Sequence, residues 1–230
     1  MTLPGFTPMG LLWLLATLAA YGVSDVVQKK TRINPVVLST AVLIGLLVAT
    51  DTSYEAYFSG AWPLHFLLGA ATVALAVPLH RHFAKVRRAV LPMLGAMLAG
   101  SLTSAMIAVG LAWVLGAPED VLLALIPKSA TTPLALGIAA EIGGPPPLTA
   151  GLVVATGITG AVLAAPVMRA MRLAPEEAMG FAIGVVAHGI GTARAVRLSE
   201  VAGTFSGLAM GLNGLGSALL IPLLFSLFAS

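Results

Sequence analysis

Three observations predict an all-α integral membrane protein, with about six transmembrane helices and two re-entrant or broken hairpins arranged as an inverted repeat. The first is composition. Hydrophobic residues make up 58% of the 230-residue chain and charged residues only 9%, with a mean hydropathy of +1.00. At about 20 residues per crossing, a chain of this length holds roughly six to eight spans. The second is charge placement: the basic residues fall in short clusters between apolar runs, a membrane topology pattern rather than a nucleic-acid-binding face. The third is a pair of interrupted segments, each too broken for a regular span. Irregular backbone at membrane depth is tolerated only where it is buried in protein or lines a cavity.

The chain reads as one membrane domain. Residues 1–88 are leading helices available as a scaffold, 89–144 form repeat one, 145–203 form repeat two, and 204–230 form the last helix. Residues 4–23 are an apolar run without a basic leader or a small-residue cleavage site, so they read as a first membrane helix. Lys29, Lys30 and Arg32 follow, which predicts a cytoplasmic loop and an external amino terminus. Pro35 opens a second helix to residue 50, and an acidic outer loop, 51–62, leads to a third helix over 63–79. His80, Arg81, His82, Lys85, Arg87 and Arg88 then read as a cytoplasmic basic loop. A fourth helix over 89–115 carries Gly95, Gly100, Ser101 and Ser104 as small surfaces for close helix contact.

The first interruption is Pro127-Lys128-Ser129-Ala130-Thr131-Thr132-Pro133. Each of its two prolines lacks a backbone donor and clashes with the preceding turn, so a helix cannot continue through both. A re-entrant hairpin over 117–144 follows. It lets the next helix, 148–166, run inward and places Arg169 and Arg172 in the cytoplasm. The second interruption is His188-Gly189-Ile190-Gly191-Thr192-Ala193-Arg194, between an arm over 178–187 and an arm over 196–202, with Gly189 and Gly191 as breakers in place of Pro127 and Pro133. Ala117-Pro118-Glu119-Asp120 recurs as Ala174-Pro175-Glu176-Glu177, and Gly100 and Thr132 find counterparts in Gly157 and Thr192. A unit of one crossing plus one hairpin crosses an odd number of times, so its second copy is inverted, with the hairpin tips meeting near the midplane. Gly203, Gly207 and Gly211 at four-residue spacing give the last helix a smooth packing stripe.

Lys128 stands at a helix break, where the following half-helix offers unpaired amides and its positive dipole end to an anion. Ser129, Thr131 and Thr132 add hydroxyls there; capping that half-helix is their alternative role. On the second break, Arg194 offers a planar fork for a carboxylate, against the alternative of an ion pair with Glu141 or Glu200. His188 is a candidate proton carrier, against a packed histidine bonded to backbone. Gly189, Gly191 and Thr192 complete the candidate substrate site, and Arg197 with Glu200, three residues apart, reads as an interfacial ion pair. The absence of cysteine rules out disulfides and thiolate metal sites. Four scattered histidines without clustered carboxylates, and no phosphate-binding loop, point away from an enzyme, a metal site or a nucleotide cofactor. The coupling ion, H+ or Na+, stays open.

Pro127-Lys128-Ser129, Thr131-Thr132-Pro133, Ile142-Gly143-Gly144, Leu148-Thr149-Ala150, Thr156-Gly157, the stretch from Ala187 to Ala195 and Gly207-Leu208-Ala209-Met210 together closely resemble the LrgB/CidB family over nearly the whole chain. The resemblance implies a multi-pass protein of the bacterial inner membrane. It implies a holin- or antiholin-like role in murein hydrolase export and cell lysis, beside a smaller LrgA/CidA-type partner. It also implies transport, because a plant relative is the plastidal glycolate/glycerate translocator and bacterial members are linked to pyruvate. The broken elements favour a transporter of small monocarboxylates working by alternating access between the two hairpin tips; the alternative is the holin-like role. A homodimer is the expected assembly.

Overall fold

The computed structural model describes residues 7–31, 35–74, 76–173 and 175–228. Residues 4–6 of the expected first helix, Arg32 of the first basic cluster and Ala174 of the repeat lie outside them. The described residues are all-α: α1 (Pro8–Thr31), α2 (Pro35–Ala49), α3 (Tyr54–Ala74), α4 (Ala76–Arg81), α5 (Phe83–Val114), α6 (Glu119–Leu125), α7 (Thr132–Glu141), α8 (Pro146–Ala170), α9 (Glu176–Leu198) and α10 (Glu200–Phe228). Five segments are long and apolar enough to cross a membrane, namely Pro8–Gln28, α5, α8, α9 and Glu200–Leu227. The protein is an all-α membrane protein, and large apolar side chains such as Leu91, Leu111 and Leu219 are exposed along these helices, as a lipid-facing surface requires.

Two compact units divide the chain, Met1–Ala74 and Leu75–Ser230. In the first, α1 packs on α2 and α3. Gly60 and Gly10 let α3 and α1 touch backbone to backbone, since a Cβ on Gly60 would fall 2.7 Å from the Gly10 Cα. Trp13 stacks edge-on against Tyr57 with ring centres 5.7 Å apart, and the Tyr57 hydroxyl meets that of Thr17 at 3.1 Å.

The second unit is built on α9 and α10, with α8 and α5 against them. Although α9 is helical on both sides, it is folded back at His188, whose φ of 37° and ψ of −132° are not helical. The arms over 176–187 and 189–198 then lie side by side: a Cβ on Gly191 would fall 2.8 Å from the Ile183 side chain, and Ile183, Ala187 and Ala195 share one buried cluster. Ser199 Oγ returns to Glu176 Oε2 at 2.9 Å, closing the open end of this second hairpin. Only then does α10 begin, and it runs parallel to the first arm, with Gly180 pressed on the Ala202 carbonyl and Gly184 on that of Ser206. The first hairpin is looser. Here α6 ends at Leu125, residues 126–131 form the break, and α7 carries the chain back until Gly144 lies against Leu123 and Ala124.

Several expected boundaries move. The third helix begins at Tyr54 rather than 63, with Pro63 inside it, so the loop before it shrinks to a few residues. The basic cluster expected as a loop lies mostly on helical turns, α4 and the start of α5, on either side of His82. Lys and Arg are good helix formers, and their long stems carry the charge away from the apolar face. The expected arm over 196–202 stops at Leu198, because Ser199 Oγ accepts the Ala202 amide at 3.0 Å and starts α10 there. The second break also differs in chemistry. His188 itself makes the turn, whereas Gly191 is helical and serves close packing between the arms.

Candidate functional site

Lys128, Ser129 and Ala130 are buried at the tip of the first hairpin. The chain takes a series of turns from Ile126 to Ala130, with the Lys128 amide on the Leu125 carbonyl and the Ala130 amide on that of Pro127. This turns the Lys128 side chain toward α5. Its Nζ donates to Ser104 Oγ at 2.7 Å and to Ser129 Oγ at 3.3 Å, and the two hydroxyls are 3.3 Å apart. Among the described residues, no carboxylate lies within ion-pair distance of it. An ammonium has three donors and no acceptor, so the two hydroxyls take two of its donors without neutralising its charge. A buried, uncompensated cation is costly and favours an anion that can reach it.

Asn213, on α10 and 2% exposed, ties the two hairpins together. Its amide nitrogen donates to the Ser129 carbonyl at 2.9 Å and to the Val185 carbonyl at 3.2 Å. Ser101 of α5 donates to its side-chain oxygen. One side chain thus bonds the tip of the first hairpin, the first arm of the second and the neighbouring helix.

At the second tip, His188 is buried and its Nε2 donates to the Val153 carbonyl of α8 at 3.0 Å. Gly157, one turn further along α8, makes room for the ring: a Cβ there would fall 2.6 Å from His188 Cε1. Thr192 donates to the His188 carbonyl at 2.8 Å and meets Ser206 Oγ at 2.9 Å. This is the arrangement of a packed histidine bonded to backbone.

The structure thus brings together Lys128 and Ser129, and separately His188, Gly191 and Thr192. Thr131 caps α7 by its extended backbone without a side-chain cap bond, and Thr132 opens that helix half-buried. Arg194 is not part of either network. Gly191, Thr192 and Ala195 occupy the inward face of the second arm, whereas Arg194 and Gly189 are exposed. The expected Arg197–Glu200 pair is replaced: Glu200 bonds Arg81 at 3.3 Å and lies 3.7 Å from His82, since Glu200 opens α10 beside α4. The same contact takes Glu200 away from Arg194. Sequence reasoning passed over Asn213 and saw Ser101 and Ser104 only as packing residues. The one side-chain amide in a last helix made mostly of apolar and small residues was the available signal.

The LrgB-like family model matches residues 17–227. The chain belongs to the LrgB-like family. Its relatives include the uncharacterized proteins YwbG and YxaC of Bacillus subtilis strain 168. YwbG is 34% identical over 95% of this chain and 98% of that protein; YxaC is 31% identical over 96% and 97%. The holin-like protein CidB of Staphylococcus aureus strain Mu50 is 29% identical over 95% of this chain and 96% of its own length. No solved structure matches. As a member of the LrgB-like family, this chain carries its Pro127-Lys128-Ser129 and His188-Gly189 stretches at the two points where the helices break.

Proposed function

We propose that this LrgB-like protein carries small monocarboxylates of the glycolate, glycerate and pyruvate class across the bacterial inner membrane, by alternating access around the two hairpin tips. The observation that carries this reading is Lys128, a buried cation held by Ser104 and Ser129 with no carboxylate paired to it among the described residues. A carboxylate arriving there supplies the missing charge and gains charge-assisted hydrogen bonds. Ser129 and the opening of α7 line the same tip. In this reading the hairpins are inverted copies that open to opposite sides, and the active assembly is a homodimer.

The relatives' names favour a second reading. Those called holin-like protein CidB support a holin- or antiholin-like protein that modulates murein hydrolase export and lysis with an LrgA/CidA-type partner. Uptake of labelled glycolate and pyruvate into proteoliposomes containing this chain alone separates the two. Saturable uptake that disappears in Lys128→Met supports the transporter. No uptake by well-inserted protein, with dye release appearing only when an LrgA/CidA-type partner is added, supports the holin-like role.

A further inference from the structure

A groove of about 440 Å³ runs between α5 and the first arm of the second hairpin. Its walls include Ala89, Met93, Ala96 and Gly100 on α5 and Phe181 and Val185 on the hairpin. These α5 positions recur every three or four residues, so they form one helix face. The same face continues in both directions. One turn before Ala89 stands Lys85, bonded at 3.0 Å to Glu177, which is itself part of the groove wall. One turn beyond Gly100 stands Ser104, the residue that holds Lys128 Nζ at 2.7 Å. Between the groove and Lys128 lies the Asn213 bridge, for Val185 is both a groove wall and the owner of a carbonyl that Asn213 holds. Ser101, which anchors Asn213, directly follows Gly100.

We infer that this groove is the route by which a small organic anion reaches Lys128, and that Asn213 is the gate across it. The walls offer a passing solute no polar side chain to hold it, being alanine, glycine, proline, methionine, valine and phenylalanine apart from Glu177 at the rim. The inner end suits an anionic head, because among the described residues the cation there is bonded to two hydroxyls and to no carboxylate. Opening requires the Asn213 amide to release Ser129, Val185 or both, which frees the first tip to move relative to the second hairpin. The route stands whatever solute the protein carries, and its test needs no transport assay.

The chain has no cysteine, so Ser129→Cys places one thiol at the inner end while leaving the backbone carbonyl that Asn213 holds. Its reaction with sulfonatoethyl methanethiosulfonate, a small anion, is followed in membrane vesicles. We expect slow labelling when Asn213 is present. Adding Asn213→Ala should raise the rate roughly thirtyfold, the scale set by losing two net hydrogen bonds. Adding Ala96→Phe as well should fill the groove and return labelling to the slow rate. The cationic trimethylammonioethyl analogue should gain much less from Asn213→Ala, because Lys128 repels it. An unchanged rate in Asn213→Ala overturns the gate, and a fast rate that survives Ala96→Phe overturns the route. Acceleration of a control thiol at Ala161, buried in α8 at 4% exposure, means general loosening and overturns both. Should Asn213→Ala fail to insert, Ser101→Ala, which unanchors Asn213 but keeps its donors, takes its place with the same expected direction.

Discussion

Ser199 Oγ donates to Glu176 Oε2 at 2.9 Å, although 23 positions separate the two residues. Along an unbroken helix they would stand about 34 Å apart, at 1.5 Å per residue. The contact therefore establishes that the segment between them goes in and comes back, with its turn at His188. Length and apolarity alone class the same stretch with the spanning helices.

Cysteines introduced at both Glu176 and Ser199 should therefore join readily under mild oxidation, and each alone should react with an impermeant thiol reagent from the same side of the membrane. The check is gel mobility after oxidation together with sided labelling. Labelling from opposite sides would mean a through-going helix.

Lys128→Met keeps the length and apolar stem of the side chain while removing the buried charge. The loss of two hydroxyl contacts is offset by removing an ammonium from a low-dielectric site. Inserted protein should stay near parental yield and thermal stability, while carboxylate uptake falls to background. Size-exclusion profiles and proteoliposome uptake read the two effects separately.

Gly157→Ala should destabilise the protein by about 1–3 kcal/mol through overpacking, because its methyl group would collide with the His188 ring. His188→Ala in the same chain should recover part of that loss, since it removes the colliding ring. A thermal-shift series over the two single variants and the double variant measures this coupling. Simple additivity would place His188 elsewhere.

The Arg81–Glu200 pair has both side chains more than half exposed. Exposed pairs of this kind contribute about 0–1 kcal/mol, so Arg81→Ala should shift thermal stability very little. A large loss would show that the pair has a role beyond surface charge.

Packing at Gly184 is a stricter constraint. A side chain there would press on the Ser206 carbonyl and the Ala209 methyl group. Gly184→Val should separate the second hairpin from α10 and abolish the monodisperse peak, whereas Gly189→Ala, with open space around it, should be tolerated.

The sequence by itself determined the membrane class, the order of long helices and the two places where they break. Those properties follow from local causes: apolar run length, proline geometry around Lys128, and a His-Gly stretch amid otherwise helical residues. The tertiary structure alone decided which polar groups meet. Asn213 follows Ser129 by 84 positions and Val185 by 28, and Glu200 finds Arg81 across 119. No local pattern encodes such pairings, because they depend on how whole helices stack. Helical phase likewise separated Thr192, turned inward on Ser206, from Arg194, turned outward two residues later. Sequence spacing identified both as polar residues past a break; only packing against α8 and α10 decided which face of the arm would be buried, since burial belongs to the partner surface as much as to the residue.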